Sequence, residues 1–233
     1  MDFPERLEDA RQALVRAVES GDLLASANLG RVLALLGDHT ESVRYLSRSL
    51  DSGNMEILPE LGTQLAACGD FAKAEERFLE GVRKGVDGAH SAYADFLNGQ
   101  GEGRVLEAER QYRMAHAGGE YAASWNLAIF LSAKGSYGEA VRYYEDSLKE
   151  GFEDAELNLA VALEKTGDAS GAEAHYRRAI ELHDPLAGYN FTSFLLGSGR
   201  IGDAMRLREE IAEYARPEEL AAVDGMILKF SGA

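Results

Sequence analysis

The chain has 233 residues, with 25 Gly, 4 Pro and a single Cys, and 40 acidic against 24 basic side chains give a formal charge of −16. A 45% share of hydrophobic residues excludes global disorder. The acidic balance argues against nucleic acid and against an anionic membrane surface, since both demand clustered Lys and Arg. Cys68 has no partner for a disulfide or a C-x-x-C metal site, and no run approaches ~18 apolar residues. Residues 1–12 lack the basic-then-apolar order of a leader, so the expectation is a cytoplasmic protein without a membrane span.

In chain order, the first element expected is a lone helix over 1–22, with Ala10, Leu14 and Ala17 on one face. From there the sequence is periodic. Gly37, Gly69, Gly101, Gly135, Gly167 and Gly199 are spaced 32, 32, 34, 32 and 32 residues apart. Gly21, Gly53, Gly85, Gly119 and Gly151 keep the same intervals, and His183 stands where a sixth member would fall. Two apolar columns run in phase, one through Leu29, Leu61, Tyr93, Leu127, Leu159 and Phe191, the other through Leu33, Leu65, Leu97, Leu131, Leu163 and Leu195.

Six units therefore cover 23–216, each dividing into two helices. In the fourth, Ala123, Leu127, Ala128 and Leu131 share one helical face, as do Ala140, Tyr143, Tyr144 and Leu148 after Gly135. The first glycine series ends one helix so that the next can begin, with Asp38, Asp70, Glu102 and Asp168 as N-caps. The second series occupies the left-handed position that closes the second helix. Asp184-Pro185 is the equivalent start in the sixth unit. Residues 217–233 form a terminal helix in which Leu220, Val223 and Ile227 continue the first-helix columns. Fourteen helices and a single domain over 1–233 are expected. Gly30 and Gly62 are expected to let paired helices approach closely, as Ala94, Ala128 and Ala160 do elsewhere.

The fourth unit reads Trp125-Asn126-Leu127-Ala128, Leu131, Gly135, Tyr137, Ala140, Tyr144, and the fifth Leu157-Asn158-Leu159-Ala160, Leu163, Gly167, Ala172, Tyr176, Ala179. This pattern resembles the tetratricopeptide repeat family, and the resemblance covers nearly the whole chain. The third unit, with Gly99-Gln100-Gly101-Glu102-Gly103 in its central turn, is more similar to the Sel-one-like relatives of that family. The resemblance implies an all-α, right-handed α-solenoid of six repeats flanked by a lone N-terminal helix and a C-terminal capping helix. It also implies a concave groove, lined by the first helices, that binds peptides or partner helices.

No catalytic constellation is visible. His39, His90, His116, His175 and His183 show no i,i+4 pairing or H-E-x-x-H motif, so no metal, cofactor or enzymatic activity is expected. His39 reads as a packing residue of the turn, and Cys68 as a small core residue. On the first helices, Asn28, Asn126, Asn158 and Asn190 share a column that resembles the asparagine ladder with which some superhelices of the family grip extended peptide; local hydrogen bonding is the competing reading. Trp125, Ile129, Leu157, Val161 and Tyr189 form an apolar neighbourhood that binds a partner, packs between first helices, or self-associates. Of the residues suited to clamping a terminal carboxylate, only Arg31 is present. The expected function is a non-enzymatic adaptor for a basic or apolar protein segment, not for nucleic acid or membrane. The alternative is an assembly subunit whose groove or terminal helix forms a homodimer.

Overall fold

In the computed structural model, which describes residues 3–231, the chain is an all-α solenoid of helix-turn-helix repeats, with no strand among the described residues. Its helices fall into two compact units, residues 1–123 and 124–233. The first holds α1 (Phe3–Glu19), α2 (Leu23–Leu35), α3 (His39–Asp51), α4 (Leu58–Ala67), α5 (Phe71–Lys84), α6 (Ala89–Gly99) and α7 (Val105–Gly118). The second is built from α8 (Ala123–Ala133), α9 (Tyr137–Lys149), α10 (Ala155–Thr166), α11 (Ala169–Glu181), α12 (Ala187–Gly197), α13 (Ile201–Ile211) and α14 (Pro217–Ser231). Residues 1, 2, 232 and 233 of the two expected terminal helices lie outside the described residues.

The period is carried by backbone geometry. All eleven glycines of the two phased series have φ between 66° and 95°. In that region a Cβ crowds the following carbonyl at a cost of about 1–2 kcal/mol, so glycine fills the columns. His183 adopts the same conformation, with φ 59°, at the expense of that strain. Asp38, Asp70 and Asp168 cap their helices by accepting the N–H three residues on, at 3.1, 3.3 and 2.9 Å. Asp22 caps α2 in the same manner, accepting the Ala25 N–H at 3.3 Å and also the Leu24 N–H at 2.9 Å.

Two expected starts differ. Asp184 accepts the Leu186 N–H at 2.8 Å, and the Ala187 N–H reaches the Asp184 carbonyl at 3.1 Å. A full turn is thus closed before α12 begins at Ala187, so Asp184 caps that turn. Glu102 does not cap α7 either; the enlarged third turn folds as a 3-10 turn over Glu102–Arg104.

That turn delivers Arg104 to a polar cluster. Its guanidinium donates to Glu75 at 2.6 Å and to Glu107 at 2.9 Å, and the buried Tyr93 donates its hydroxyl to Glu75 at 2.7 Å. The hydrogen bond from Arg104 holds the Glu75 carboxyl below its ordinary value near 4.5. A carboxyl lowered in the folded state stabilises the fold above the unfolded value, and this contribution is lost as pH falls through the folded value. The urea midpoint is therefore expected to drop as pH is lowered from about 5 toward 3, and less steeply in Arg104→Gln; parallel curves would show that the cluster is uncoupled from folding.

Packing follows the columns. Leu29, Leu61, Tyr93, Leu127, Leu159 and Phe191 are all buried, and Leu46, Phe78, Tyr112, Tyr144 and Tyr176 meet the first helices from the second. Each such side chain stabilises the fold by about 1.5–3 kcal/mol through the apolar area it removes from water. A Cβ on Gly30 would lie 2.5 Å from Leu46 Cδ2, and one on Gly62 2.8–2.9 Å from the Phe78 ring. In later repeats Ala94, Ala128 and Ala160 fill the column, and the facing tyrosine is tied at its hydroxyl to the first helix. Tyr112 bonds Asp95, Tyr144 accepts from Ser132 at 3.2 Å, and Tyr176 donates to Glu164 at 2.7 Å.

At the ends, α1 lays Leu14, Val15, Ala17 and Val18 on Leu29, Leu33 and Tyr45. In the second unit, α14 buries Val223 and packs Leu220 and Ile227 against the cluster of Tyr176, Phe191, Phe194 and Leu207. His39 bonds Gln64 at 2.9 Å, consistent with a packing role. Cys68 is not a core residue: α4 ends at Ala67, and the thiol sits exposed in the turn that follows.

Candidate functional site

In the first unit, Asn28 and Arg31 lie one turn apart on the exposed side of α2. The Arg31 guanidinium is held by Glu60 of α4 through two hydrogen bonds of 2.7 Å and donates a third, of 3.2 Å, to Asn28 Oδ1. The hydrogen bonds that Arg31 donates to Glu60 raise the Arg31 pKa. The only basic residue of these columns is thus neutralised by a neighbouring first helix. Asp95, on α6, accepts from Tyr112 and is raised by burial, so it too is part of the scaffold. Nothing in this arrangement offers a free cation to a terminal carboxylate.

In the second unit the apolar neighbourhood divides. Leu157 is 7% exposed and belongs to the core with Ala160, Tyr176 and Phe191, and Val161 packs half-buried on the same cluster. Of the alternatives open for these two groove candidates, their burial fits packing between first helices: both lie toward the neighbouring first helix, α12, where apolar contact is available. Trp125 is half-buried, its ring edge-on to Tyr144 with centroids 6.0 Å apart. Ile129 on α8 and Tyr189 on α12 remain open, at 42% and 46% exposure.

The Asn column divides as well. Asn190 donates to the Leu186 carbonyl at 2.9 Å, a local bond to the residue that precedes α12. Asn126 and Asn158 are half-buried and carry no hydrogen bond to other side chains or backbone among the described residues. An amide of this kind keeps one acceptor and two donors for a second molecule. The surface that persists is Asn126 and Ile129 on α8, Asn158 on α10 and Tyr189 on α12.

One feature was not foreseen from sequence. A hollow of about 350 Å³ lies where the α11–α12 turn, the end of α13 and the start of α14 converge, with His183, Tyr189, Tyr214 and Glu219 in its wall. The signal available beforehand was His183, an imidazole in a column otherwise filled by glycine. Among the described residues no group of three or more His, Cys, Asp or Glu is disposed to hold a metal ion.

A sequence model of the tetratricopeptide repeat family matches residues 5–54 and 126–187. No curated protein sequence matches the chain. Among solved structures, the chain is similar to the human IFIT1 dimer with PPP-AAAA, at 15% identity and a TM-score of 0.62, over 96% of this chain and 60% of that one. It is similar to c5321, a protective antigen of uropathogenic Escherichia coli displaying an SLR fold, at 21% identity and a TM-score of 0.60, over 87% of this chain and 48% of that one. A third likeness is YrrB, described as a tetratricopeptide repeat protein with an unusual peptide-binding site. There identity is 16%, the TM-score 0.50 and coverage 76% of this chain and 96% of that one. The chain spans under two thirds of the first two relatives.

Proposed function

We propose that this chain, which belongs to the tetratricopeptide repeat superfamily, is a non-enzymatic adaptor that binds a protein or peptide on the first helices of its second unit. The family's repeats are in general a scaffold for protein–protein interaction. The observation that carries the finer reading is the pairing of uncommitted amides, Asn126 and Asn158, with the exposed Ile129 and Tyr189. Amides grip extended backbone without regard to its sequence, while apolar side chains supply buried area. The uninterrupted period supports treating 1–233 as one repeat domain. No helix among the described residues is long and apolar enough to cross a membrane, and we assign the protein to the cytoplasm.

Charge supports a protein partner over a nucleic acid. The formal charge is −16, and Arg177, Arg200, Arg208 and Arg216 in the second unit are all paired with carboxylates of their own unit. Arginines committed in this way are poorly disposed to neutralise phosphates. A self-associating subunit is the second reading, favoured by Leu228 and Phe230, both exposed on α14. Light scattering across a concentration series separates the two, since a tight dimer that covers α8, α10 and α12 would leave no room for the adaptor role.

Trp125 is the only tryptophan, so its fluorescence reports on this surface. The test is cross-linking and pull-down to obtain the partner, comparing wild type with Trp125→Ala, followed by tryptophan-fluorescence titration of wild type and Asn126→Ala/Asn158→Ala, both of which keep Trp125. The double variant is expected to bind about tenfold more weakly with unchanged helicity, at ~0.5–1.5 kcal/mol per lost hydrogen bond. Unchanged affinity per folded molecule would show the Asn column to be structural.

A further inference from the structure

We infer that the turns joining repeats in the second unit form a two-part docking site for a basic–apolar peptide motif, with a cationic side chain in a carboxylate-lined hollow and an apolar or aromatic one in the adjoining aromatic hollow. The inference rests on the protein-binding reading and supplies its partner chemistry, but it uses a different set of residues, sharing only Tyr189.

The two hollows have a common wall, His183-Asp184-Pro185. On one side is the space of about 350 Å³ faced by the rings of His183, Tyr189 and Tyr214, with Ile211 and Val223 beneath. On the other is one of about 210 Å³ bordered by Glu153, Asp154, Glu156 and Asp184, with no basic side chain but His183 in its lining. Glu156 is bonded to His175 at 2.6 Å, whereas Glu153 and Asp154 are exposed and make no side-chain hydrogen bond among the described residues. Arg178 feels the charge of Glu153 and Glu156 but is hydrogen-bonded to Glu181, at 2.8 Å. A cation entering the hollow therefore meets two carboxylates, Glu153 and Asp154, that no resident Lys or Arg holds by a hydrogen bond.

The aromatic hollow suits an apolar neighbour and tolerates a cation. Arg216, the one guanidinium in its wall, is already engaged by Glu219. Burial first, and then the carboxylates of Glu210 and Glu219, push the Tyr214 phenol upward, a mark of the negative field around the ring. His183 is the second indication. Its backbone keeps the left-handed conformation that glycine adopts in every other repeat, and its ring lies 4.8 Å, centroid to centroid, from Tyr214. A strained non-glycine residue whose ring forms the wall between two hollows is the kind of position where strain is retained for contact with a ligand.

In an extended peptide, residues two apart face the same side. The probe is therefore acetyl-arginyl-seryl-phenylalanine amide, titrated into the full chain while the Tyr189 and Tyr214 ring resonances are followed. Matched peptides carry citrulline for arginine or serine for phenylalanine. Binding by the parent peptide, weakened about fivefold by citrulline and by Glu153→Gln/Asp154→Asn, and reduced by added salt, is the expected result. His183→Gly restores the residue of the other repeats and so keeps the fold; it is expected to abolish the preference for phenylalanine over serine. Equal affinity of the citrulline peptide, an unaffected Glu153→Gln/Asp154→Asn variant, or no ring shift at millimolar peptide each overturns the inference. Asn126→Ala/Asn158→Ala is expected to bind the tripeptide normally. If that variant alone loses it, the peptide occupies the first helices, which overturns this site and leaves the adaptor reading standing.

Discussion

Phe191→Ala is expected to destabilise the second unit by about 3–5 kcal/mol, the range for emptying a large aromatic site in a packed core. Phe191 is fully buried on α12, stacked on Tyr176 with centroids 5.4 Å apart, beside Phe194 at 6.2 Å and under the Arg177 guanidinium at 5.3 Å. It lies next to Asn190 and two residues from Tyr189, so it fixes the helix that presents part of the candidate site. Repeat arrays are stabilised chiefly by nearest neighbours, so the loss is expected to localise. Hydrogen exchange should accelerate in α11, α12 and α13, with α2 to α4 unaffected. A change below about 1 kcal/mol in the urea midpoint would mean that the neighbours collapse into the space, and that the aromatic stack is not what holds α12.

The second large effect is expected at Gly62. Gly62→Ala places a Cβ within 2.8–2.9 Å of three atoms of the Phe78 ring. That ring has little freedom to yield, being buried and packed by Tyr93 and Phe96 at 6.0 and 5.2 Å. Overpacking of this kind costs about 1–3 kcal/mol. Gly30→Ala meets Leu46 Cδ2 at 2.5 Å and Cγ at 2.7 Å, in a branched side chain that can change rotamer, with the Leu46 backbone N at 3.3 Å, and is expected to cost less. The pair forms an internal control read from the same urea titration. If Gly30→Ala proves the worse of the two, close helix approach at Gly62 is not limited by the phenyl ring.

These glycines also show how the repeats solve one packing problem in two ways. Where the first helix carries Gly, the facing side chain, Leu46 or Phe78, sits directly over it. Where it carries Ala, the facing side chain is a tyrosine whose hydroxyl is anchored on Asp95, Ser132 or Glu164. The Ala and Tyr columns are readable from sequence, but the anchors are not. Asp95 and Glu164 are at different positions in their repeats, and the pairing depends on where each hydroxyl reaches.

The same division holds for the candidate site. Membership of the first helices was legible, because Asn126, Asn158 and Asn190 recur at the repeat interval. Which amide is free was not, since the local bond of Asn190 to Leu186 and the contact of Asn28 with the Arg31–Glu60 pair depend on rotamers and on an adjacent helix. Leu157 and Ile129 look alike as apolar residues of first helices, yet one is in the core and the other is open. The hollows beside His183 are assembled from four chain segments, and only the odd residue in a glycine column hinted at them.

The sequence by itself determined the helix count, the positions of the turns, the pairing of helices within a repeat and the residues of the core columns. These follow from constraints that act over a few residues: left-handed glycine at helix ends, carboxylate caps, and the 3.6-residue period of apolar side chains. Tertiary structure decided the placement of Cys68 in an exposed turn, the neutralisation of Arg31, the burial of Leu157 and the aromatic and acidic hollows around His183. Each of those depends on which surface of a helix its neighbour covers, a relation between side chains about 20–30 residues apart that the repeat interval constrains but does not specify.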